Sequence, residues 1–185
     1  MHITPRSTAH ADALDAAGAV ITCVPSLRSI VRCRVGSIGI LRVDDDAYDV
    51  GHSEPAWPTT IFVSVPPPTA LGSLRLAESI VHEAMHLHVT ALEQSSPLVE
   101  TEGVLFSPWR KEARSTAGVL HGLYVFSCIR AFLQIVIQEK WPSGAQRSHI
   151  QKRIEEINLD TRRVDIPALR GGLNHEGLLF LNAFR

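Results

Sequence analysis

A five-residue segment, His82-Glu83-Ala84-Met85-His86, constrains the fold of this chain more than any other part of the sequence. Its flanks carry apolar residues at helical spacing, which predicts one amphipathic helix over residues 70–94. Histidines four positions apart project from the same face of a helix, and two imidazoles placed in this way can hold one metal ion. Because unpaired imidazoles are costly to bury, a metal site is favoured over a structural helix whose histidines are satisfied by the protein.

The composition predicts a single globular domain over residues 1–185. Hydrophobic residues make up 45% of the 185 positions, which is enough for a sizeable core. The formal net charge of -1 provides no field that would attract nucleic acid or an anionic membrane, and neither is expected as a partner. The three cysteines are an odd number without C-x-x-C spacing, so they predict reduced, mostly buried thiols and a cytoplasmic protein: Cys23, Cys33 and Cys128.

The remaining elements follow from periodicity and from turn residues. Helices are predicted at residues 7–24, 26–33, 112–139 and 145–160, with a short C-terminal helix after the break at 170–172. A strand is predicted at residues 60–65, and a loop is predicted at residues 51–58. The stretch at 35–43 fits either a strand or a continued helix. The stretch at 98–106 is mixed, and an extended path is one interpretation of it. The acidic run Asp44-Asp45-Asp46 lacks EF-hand spacing and predicts a solvated loop. The expected fold is α+β and mainly helical, with a zincin-like H-E-x-x-H helix packed on a second long helix and a few short strands.

The motif needs a third protein ligand before it resembles a catalytic metal site. The extended metalloprotease pattern H-E-x-x-H-x-x-G-x-x-H fails, because Val89 and Leu92 stand where it requires Gly and His. His121 is the favoured third ligand, since it lies mid-helix on an otherwise apolar face of the predicted 112–139 helix. The alternative interpretation is that His121 is a core histidine with a hydrogen bond to a carbonyl group and no metal. Glu112 is the alternative ligand, and Glu102 is a weaker one.

Arg114 lies two turns before His121 on the same face of that predicted helix, roughly 10 Å along its axis. An arginine at this distance from a metal suits a bidentate clamp on a carboxylate. A surface salt bridge with Glu112 or Glu78 explains it nearly as well.

Three segments in order resemble the HExxH-type, α-ketoglutarate-dependent peptide β-hydroxylases of bacterial ribosomal-peptide biosynthesis. They are LAESIVHEAMH at 76–86, SPWRKEAR at 107–114 and GVLHGLY at 118–124. The resemblance covers about residues 50–130 and departs from the family pattern at Ala113 and Ser115, where proline is usual.

The resemblance implies a mononuclear Fe(II) enzyme that uses 2-oxoglutarate to hydroxylate a side-chain carbon of a precursor peptide. Imidazoles suit iron as well as zinc. The predicted catalytic residues are His82, Glu83, His86 and His121, with the three histidines as iron ligands. Such a set departs from the usual iron oxygenase triad of two histidines and one carboxylate. Arg114 is the preferred residue for the co-substrate carboxylate, with Arg110 as the alternative. Tyr124 is also predicted to bind the co-substrate. A zinc metallopeptidase with Glu83 as general base is the first alternative, and an inactive peptide-binding module is the second.

Overall fold

The computed structural model of the chain describes residues 7–43, 49–54, 56–69 and 71–184. Within these ranges the fold is α+β and mainly helical, as predicted, with seven helices and five strands. The predicted acidic loop at residues 44–46 lies outside the described residues. In chain order the elements are α1 (Thr8–Thr22), α2 (Pro25–Arg34), β1 (Ser37–Leu41), β2 (Gly51–Ser53), β3 (Thr60–Ser64), α3 (Gly72–Ser95), β4 (Val104–Ser107), β5 (Glu112–Ser115), α4 (Thr116–Val136), α5 (Gly144–Arg162), α6 (Ile166–Gly171) and α7 (His175–Ala183).

The first two helices form as predicted. The Ser7 hydroxyl caps α1 by accepting a hydrogen bond from the backbone N–H of His10, at 3.2 Å. Pro25 at the first turn of α2 cannot continue α1 and is well suited to begin a new helix. The stretch at 35–43 resolves as the strand β1, because its β-branched residues pair with β3.

A three-stranded sheet with the order β1-β3-β2 lies beside the motif helix α3. β1 runs parallel to the central strand β3, and β2 runs antiparallel to it at the edge. The prediction of a loop over residues 51–58 is therefore wrong for Gly51–Ser53, which form β2. Glycine, serine and proline are typical of turns, but pairing of His52 with Phe62 holds this segment in the sheet.

Helices α3 and α4 form the centre of the core, packed against each other as predicted. Leu74 and Met85 of α3 and Phe132 and Leu133 of α4 are completely buried. Among the described residues, α4 alone is long and apolar enough to cross a membrane, and 56% of its most apolar window is buried inside the fold. More than half of this apolar window therefore packs inside the fold.

The predicted helix over residues 112–139 begins too early, because Glu112–Ser115 form the strand β5. This strand pairs antiparallel with β4, and Leu105 is opposite Arg114. Ser115 then caps α4 by accepting a hydrogen bond from Gly118 N–H at 3.1 Å. Arg114 and His121 consequently do not share a helical face, and the spacing argument that joined them is wrong.

One arginine side chain joins the end of α4 to the start of α5. Arg147 donates hydrogen bonds to the carbonyl oxygens of Ile137, Glu139 (2.6 Å) and Pro142 (3.1 Å). These carbonyls lie where α4 has ended and intrahelical donors are missing. The C-terminal helix α7 agrees with the sequence prediction, whereas the short helix α6 was not predicted.

The three cysteines are free thiols with different exposure. Cys23 and Cys128 are partly buried, but Cys33 on α2 is exposed, which differs from the prediction of mostly buried thiols. Cys33 lies between Arg32 and Arg34 in the last turn of α2, on the face of this helix that is exposed to solvent.

Candidate metal centre

The two motif histidines lie on one face of α3 in an arrangement that a single metal ion can bridge. The ring centroids of His82 and His86 are 4.9 Å apart, and the rings are inclined at 62°. With metal–nitrogen bonds of about 2.1 Å and ligand angles of about 90–110°, two imidazoles on one metal have centroids about 4.5–5.2 Å apart. The centroid spacing of the pair is therefore compatible with one shared metal.

The surroundings keep both imidazoles neutral at neutral pH. Burial lowers the pKa of His82 to about 4, assisted by the positive charges of Arg153 and Arg110. Burial likewise lowers the pKa of His86 to about 3, with further contributions from His82, His121 and Arg110. A neutral imidazole retains the lone pair that a metal ligand needs, so both side chains are available as ligands.

His121 approaches this pair from α4 but is held by another residue. Its Nε2 atom lies 2.7 Å from Oε2 of Glu93, and its ring centroid is 6.5 Å from that of His86. Two imidazoles on one metal cannot have centroids more than about 6.4 Å apart. In the part of the chain that the structure describes, no three His, Cys, Asp or Glu side chains converge as a ligand set. The fold thus brings His121 near the motif pair without completing a three-histidine site.

The edge strand β2 positions the motif glutamate. Glu83 is only 5% exposed, and its Oε2 accepts a hydrogen bond from Ser53 Oγ at 2.8 Å. Burial raises the pKa of Glu83, while the bond from Ser53 opposes this change. A β-carbon on Gly51 would lie 2.6 Å from Oε1 of Glu83, so β2 approaches this closely only because position 51 lacks a side chain. Both carboxylate oxygens of Glu83 are therefore confined by β2.

A cleft of about 830 Å³ lies beside His82 and Glu83, between α3, α5 and β2. Two of its arginines are neutralised by carboxylates: Arg75 pairs with Asp49 through two contacts of 2.9 Å, and Arg153 pairs with Glu78 at 2.7 Å. Arg110, which follows β4, also lines the cleft and has no hydrogen-bond or ion-pair partner among the residues described. This exposed cation is available to an anionic ligand.

An aromatic stack supports His82 on the side of α4. Phe126 meets the His82 ring edge-on, with centroids 5.3 Å apart, and stacks on Trp109 at 5.0 Å. The Arg153 guanidinium lies 5.7 Å from the centre of the Phe126 ring. A β-carbon on Gly122 would come within 3.0 Å of the Trp109 ring, so this glycine permits the β4–β5 turn to pack on α4. The stack links the SPWR segment to the motif helix.

Several predicted site residues lie away from the histidine pair. Arg114 is exposed and lies 3.5 Å from Glu112, so both project outward from the β4–β5 hairpin. Tyr124 is buried in the core, where its hydroxyl donates to Met85 Sδ at 3.8 Å and its ring contacts Phe180. Neither Arg114 nor Tyr124 lines the cleft.

The structure also identifies site residues that sequence reasoning missed. Glu93 follows His86 by seven positions, which places both on one helical face. This spacing could have identified Glu93 as a residue near the site. Ser53 and Arg153 were not detectable, because they contact α3 residues 30 and 75 positions away in sequence.

Comparisons with known proteins add no family assignment. No protein-family model matches the chain, and no curated protein matches it significantly. Membership of the peptide β-hydroxylase family therefore stays a prediction that rests on the three sequence motifs.

Proposed function

We propose that the chain is a cytoplasmic Fe(II)- and 2-oxoglutarate-dependent oxygenase that hydroxylates a side-chain β-carbon of a ribosomally made precursor peptide. The observation that carries this proposal is the neutral His82–His86 pair at metal-sharing distance, beside a cleft where Arg110 has no partner among the residues that the structure describes. In the reaction, the peptide C–H, O₂ and 2-oxoglutarate yield the peptide C–OH, succinate and CO₂. Iron, when bound, supplies the activation of O₂, and the protein supplies binding and orientation.

His82, His86 and His121 are the proposed iron ligands. The first two fit the required spacing, and neutral imidazoles suit divalent iron. His121 needs its ring to approach that of His86 by about 1–2 Å to reach the centroid spacing of a shared metal. Its position on α4, facing α3, makes it a better candidate than Glu112, which is exposed on β5 and paired with Arg114.

Arg110 is the proposed partner of the distal carboxylate of 2-oxoglutarate. A guanidinium binds a carboxylate through two parallel hydrogen bonds, which fixes orientation as well as charge. Arg110 lines the cleft and influences both His82 and His86 electrostatically, whereas Arg114 does neither. Arg110 therefore replaces Arg114 as the preferred residue.

A zincin-like arrangement and a peptide substrate are supported by β2. The strand is antiparallel at the edge of the sheet, and Gly51 lines the cleft next to Glu83. An extended peptide can add to such an edge through main-chain hydrogen bonds. Glu83 then acts as a residue that holds β2 against the motif helix, which agrees with its bond to Ser53.

Zinc-dependent peptide hydrolysis is the second candidate. It is favoured by one observation: burial raises the pKa of Glu83, as a general base or acid requires, and Glu83 lines the same cleft as His82. The confinement of the Glu83 carboxylate by Ser53 and Gly51 favours the oxygenase, in which no water needs to be deprotonated.

The test begins with anaerobic addition of 2-oxoglutarate to the Fe(II)-loaded protein. We expect a weak visible charge-transfer band, which Arg110→Ala weakens by raising the 2-oxoglutarate Kd about tenfold or more. Arg114→Ala is the matched control, since it removes an arginine from the same hairpin outside the cleft, and should leave the band unchanged. Admission of O₂ with the precursor peptide should add one oxygen atom by mass. Absence of the band, together with peptide cleavage supported by zinc alone, would instead establish the second candidate.

A further inference from the structure

The α5 wall of the cleft carries hydrogen-bond donors of its own, apart from Arg110. The residues of α5 that line the cleft stand at positions i, i+3, i+4 and i+7, on one face of the helix: His149, Lys152, Arg153 and Glu156. We infer that His149 and Lys152 bind a carboxylate of the substrate peptide, supplied by an acidic side chain or by the peptide's C-terminus. This inference rests on the proposed function only in taking the ligand of the cleft to be a peptide.

The carboxylates among the described residues of the cleft all have partners within the protein. The pairs are Asp49 with Arg75, Glu78 and Glu156 with Arg153, and Glu83 with Ser53. Apart from the motif residue His82, the ionisable side chains of the described cleft that lack a hydrogen-bonded partner are Arg110, His149 and Lys152. All three are donors, so the free binding capacity of the cleft suits anions.

Lys152 is held only loosely by its neighbour on α5. Its Nζ atom lies 3.9 Å from Oε1 of Glu156, which is longer than a hydrogen bond, and its side chain is 79% exposed. The lysine precedes the glutamate by four residues, which is the less favourable order for an ion pair on a helix. Exposed pairs of this kind contribute little to stability. A ligand carboxylate can therefore draw the ammonium group away from Glu156.

His149 adds a second donor next to Lys152. It lies three residues earlier on α5 and is partly buried, and its ring has no hydrogen-bond partner among the described residues. An imidazole offers at least one N–H whether it is neutral or protonated, so this donor does not depend on the charge of the ring. Residues three apart on a helix are neighbours, with β-carbons about 5–6 Å apart. The two side chains can thus each donate to one oxygen of the same carboxylate.

The cleft has room for this carboxylate beside the one assigned to Arg110. Arg110 enters the cleft from the turn between β4 and β5, whereas His149 and Lys152 stand on α5. The volume of about 830 Å³ lies near the upper end of the range for sites that enclose a drug-sized ligand, and 2-oxoglutarate is a small diacid. Alternate residues of an extended peptide point to the same side, so a peptide laid along β2 can direct a carboxylate into the remaining space.

The test uses the metal-free protein, so that it depends on neither iron nor turnover. The probes are three acetylated alanine heptapeptides: one with a central glutamate and an amidated C-terminus, one with a central glutamine and an amidated C-terminus, and one all-alanine peptide with a free C-terminal carboxylate. Shifts of the backbone amide NMR signals of the protein give each Kd, including values in the millimolar range. We expect at least one carboxylate peptide to bind about fivefold or more tightly than the neutral glutamine peptide.

Substitutions on α5 then locate the carboxylate. Lys152→Gln should raise the Kd of the carboxylate peptide about three- to tenfold, and His149→Ala should have an effect of similar size. Lys152 is mostly exposed, so its replacement does not threaten folding. Lys140→Gln is the matched control, because it removes the same charge from an exposed lysine that does not line the cleft. It should leave the Kd unchanged. Tighter binding of the glutamate peptide identifies a side-chain carboxylate, and tighter binding of the free-acid peptide identifies the C-terminus.

The outcomes separate this inference from the proposed function. Absence of any carboxylate-dependent shift at millimolar peptide overturns the inference, and so does an effect of Lys152→Gln no larger than that of Lys140→Gln. In either case a charge-transfer band with Fe(II) and 2-oxoglutarate leaves the oxygenase proposal standing. If that band is absent while a carboxylate peptide binds through Lys152, the inference holds and the oxygenase proposal fails.

Discussion

Arg153 on α5 donates a hydrogen bond to Glu78 on α3 over 2.7 Å, and this bond joins the two walls of the cleft next to His82. The carboxylate of Glu78 is 14% exposed and the arginine 30% exposed, so the pair is largely shielded from solvent. The same guanidinium also reaches Glu156 at 3.4 Å. Removal of Arg153 leaves the shielded Glu78 carboxylate without this charged partner.

We therefore expect Arg153→Met to lower the free energy of unfolding by about 1–3 kcal/mol, because Glu78 loses its charged partner. Urea denaturation monitored by circular dichroism measures this change. The control is Arg163→Met, whose arginine is 65% exposed and contacts Asp160 at 3.4 Å. Its effect should stay within about 0.5 kcal/mol. Equal effects of the two substitutions would contradict the role assigned to Arg153.

Gly51→Ala should impair the metal centre by displacing Glu83. The new methyl group would lie 2.6 Å from Oε1 of Glu83, so either the carboxylate or β2 must move. We expect a loss of about 10–100-fold in the rate of the proposed hydroxylation, since small displacements near reacting groups carry costs of this size. Gly18→Ala provides the comparison, because its β-carbon meets nothing within 4 Å on α1. It should preserve the rate and raise stability by about 0.5–1 kcal/mol.

The metal-free protein should lose stability as the pH falls below about 6.5. The unfolded chain binds protons at His82 and His86 near that pH, whereas the folded chain resists them until about pH 4 and about pH 3. The unfolded state therefore gains protons first, and each imidazole costs about 2 kcal/mol between pH 7 and pH 5. Urea unfolding at both values measures the difference. His82→Gln should make the pH dependence shallower, and an unchanged slope would refute the assignment.

Alkylation should distinguish the cysteines. Burial raises the pKa of the Cys128 thiol to about 11, so about 0.1% of it is thiolate at pH 8. Exposed Cys33 should react with iodoacetamide at least tenfold faster, as measured by mass spectrometry of the folded protein. In urea all three cysteines should react at similar rates. Rapid labelling of Cys128 in the folded state would show that its surroundings are more open than described.

The parts of the fold that were predictable are those with strong local signals. The motif helix was predicted within about two residues of its bounds, because its apolar period is long and Pro97 follows its end. β2 was missed because Gly51, His52 and Ser53 have turn-like composition and become a strand only by pairing with β3. The start of α4 was misplaced because its preceding residues are helix-compatible, and only the hairpin pairing with β4 excludes them from the helix.

Residues of the candidate site were likewise predictable where local spacing determines them and not where the fold brings distant segments together. The shared face of His82 and His86 is predictable from their spacing of four residues alone. Glu93 lies seven residues after His86 on nearly the same helical face, so its position was also open to prediction once His121 was considered. Arg153 could not be found from the sequence, because its relation to Glu78 depends on how α5 returns over α3 after 75 residues. The preference between Arg110 and Arg114 changed because the turn before β5 directs one side chain into the cleft and the strand directs the other to solvent.

The arginine that joins α4 to α5 has a consequence for how this protein tolerates substitution. Arg147 holds three carbonyl groups at one corner, and α5 carries Arg153 from that corner to the wall of the cleft. Because α5 starts at this corner, its orientation there bears on the distance between that wall and His82. Substitution of Arg147 is therefore expected to change the width of the cleft while the residues that line it stay the same.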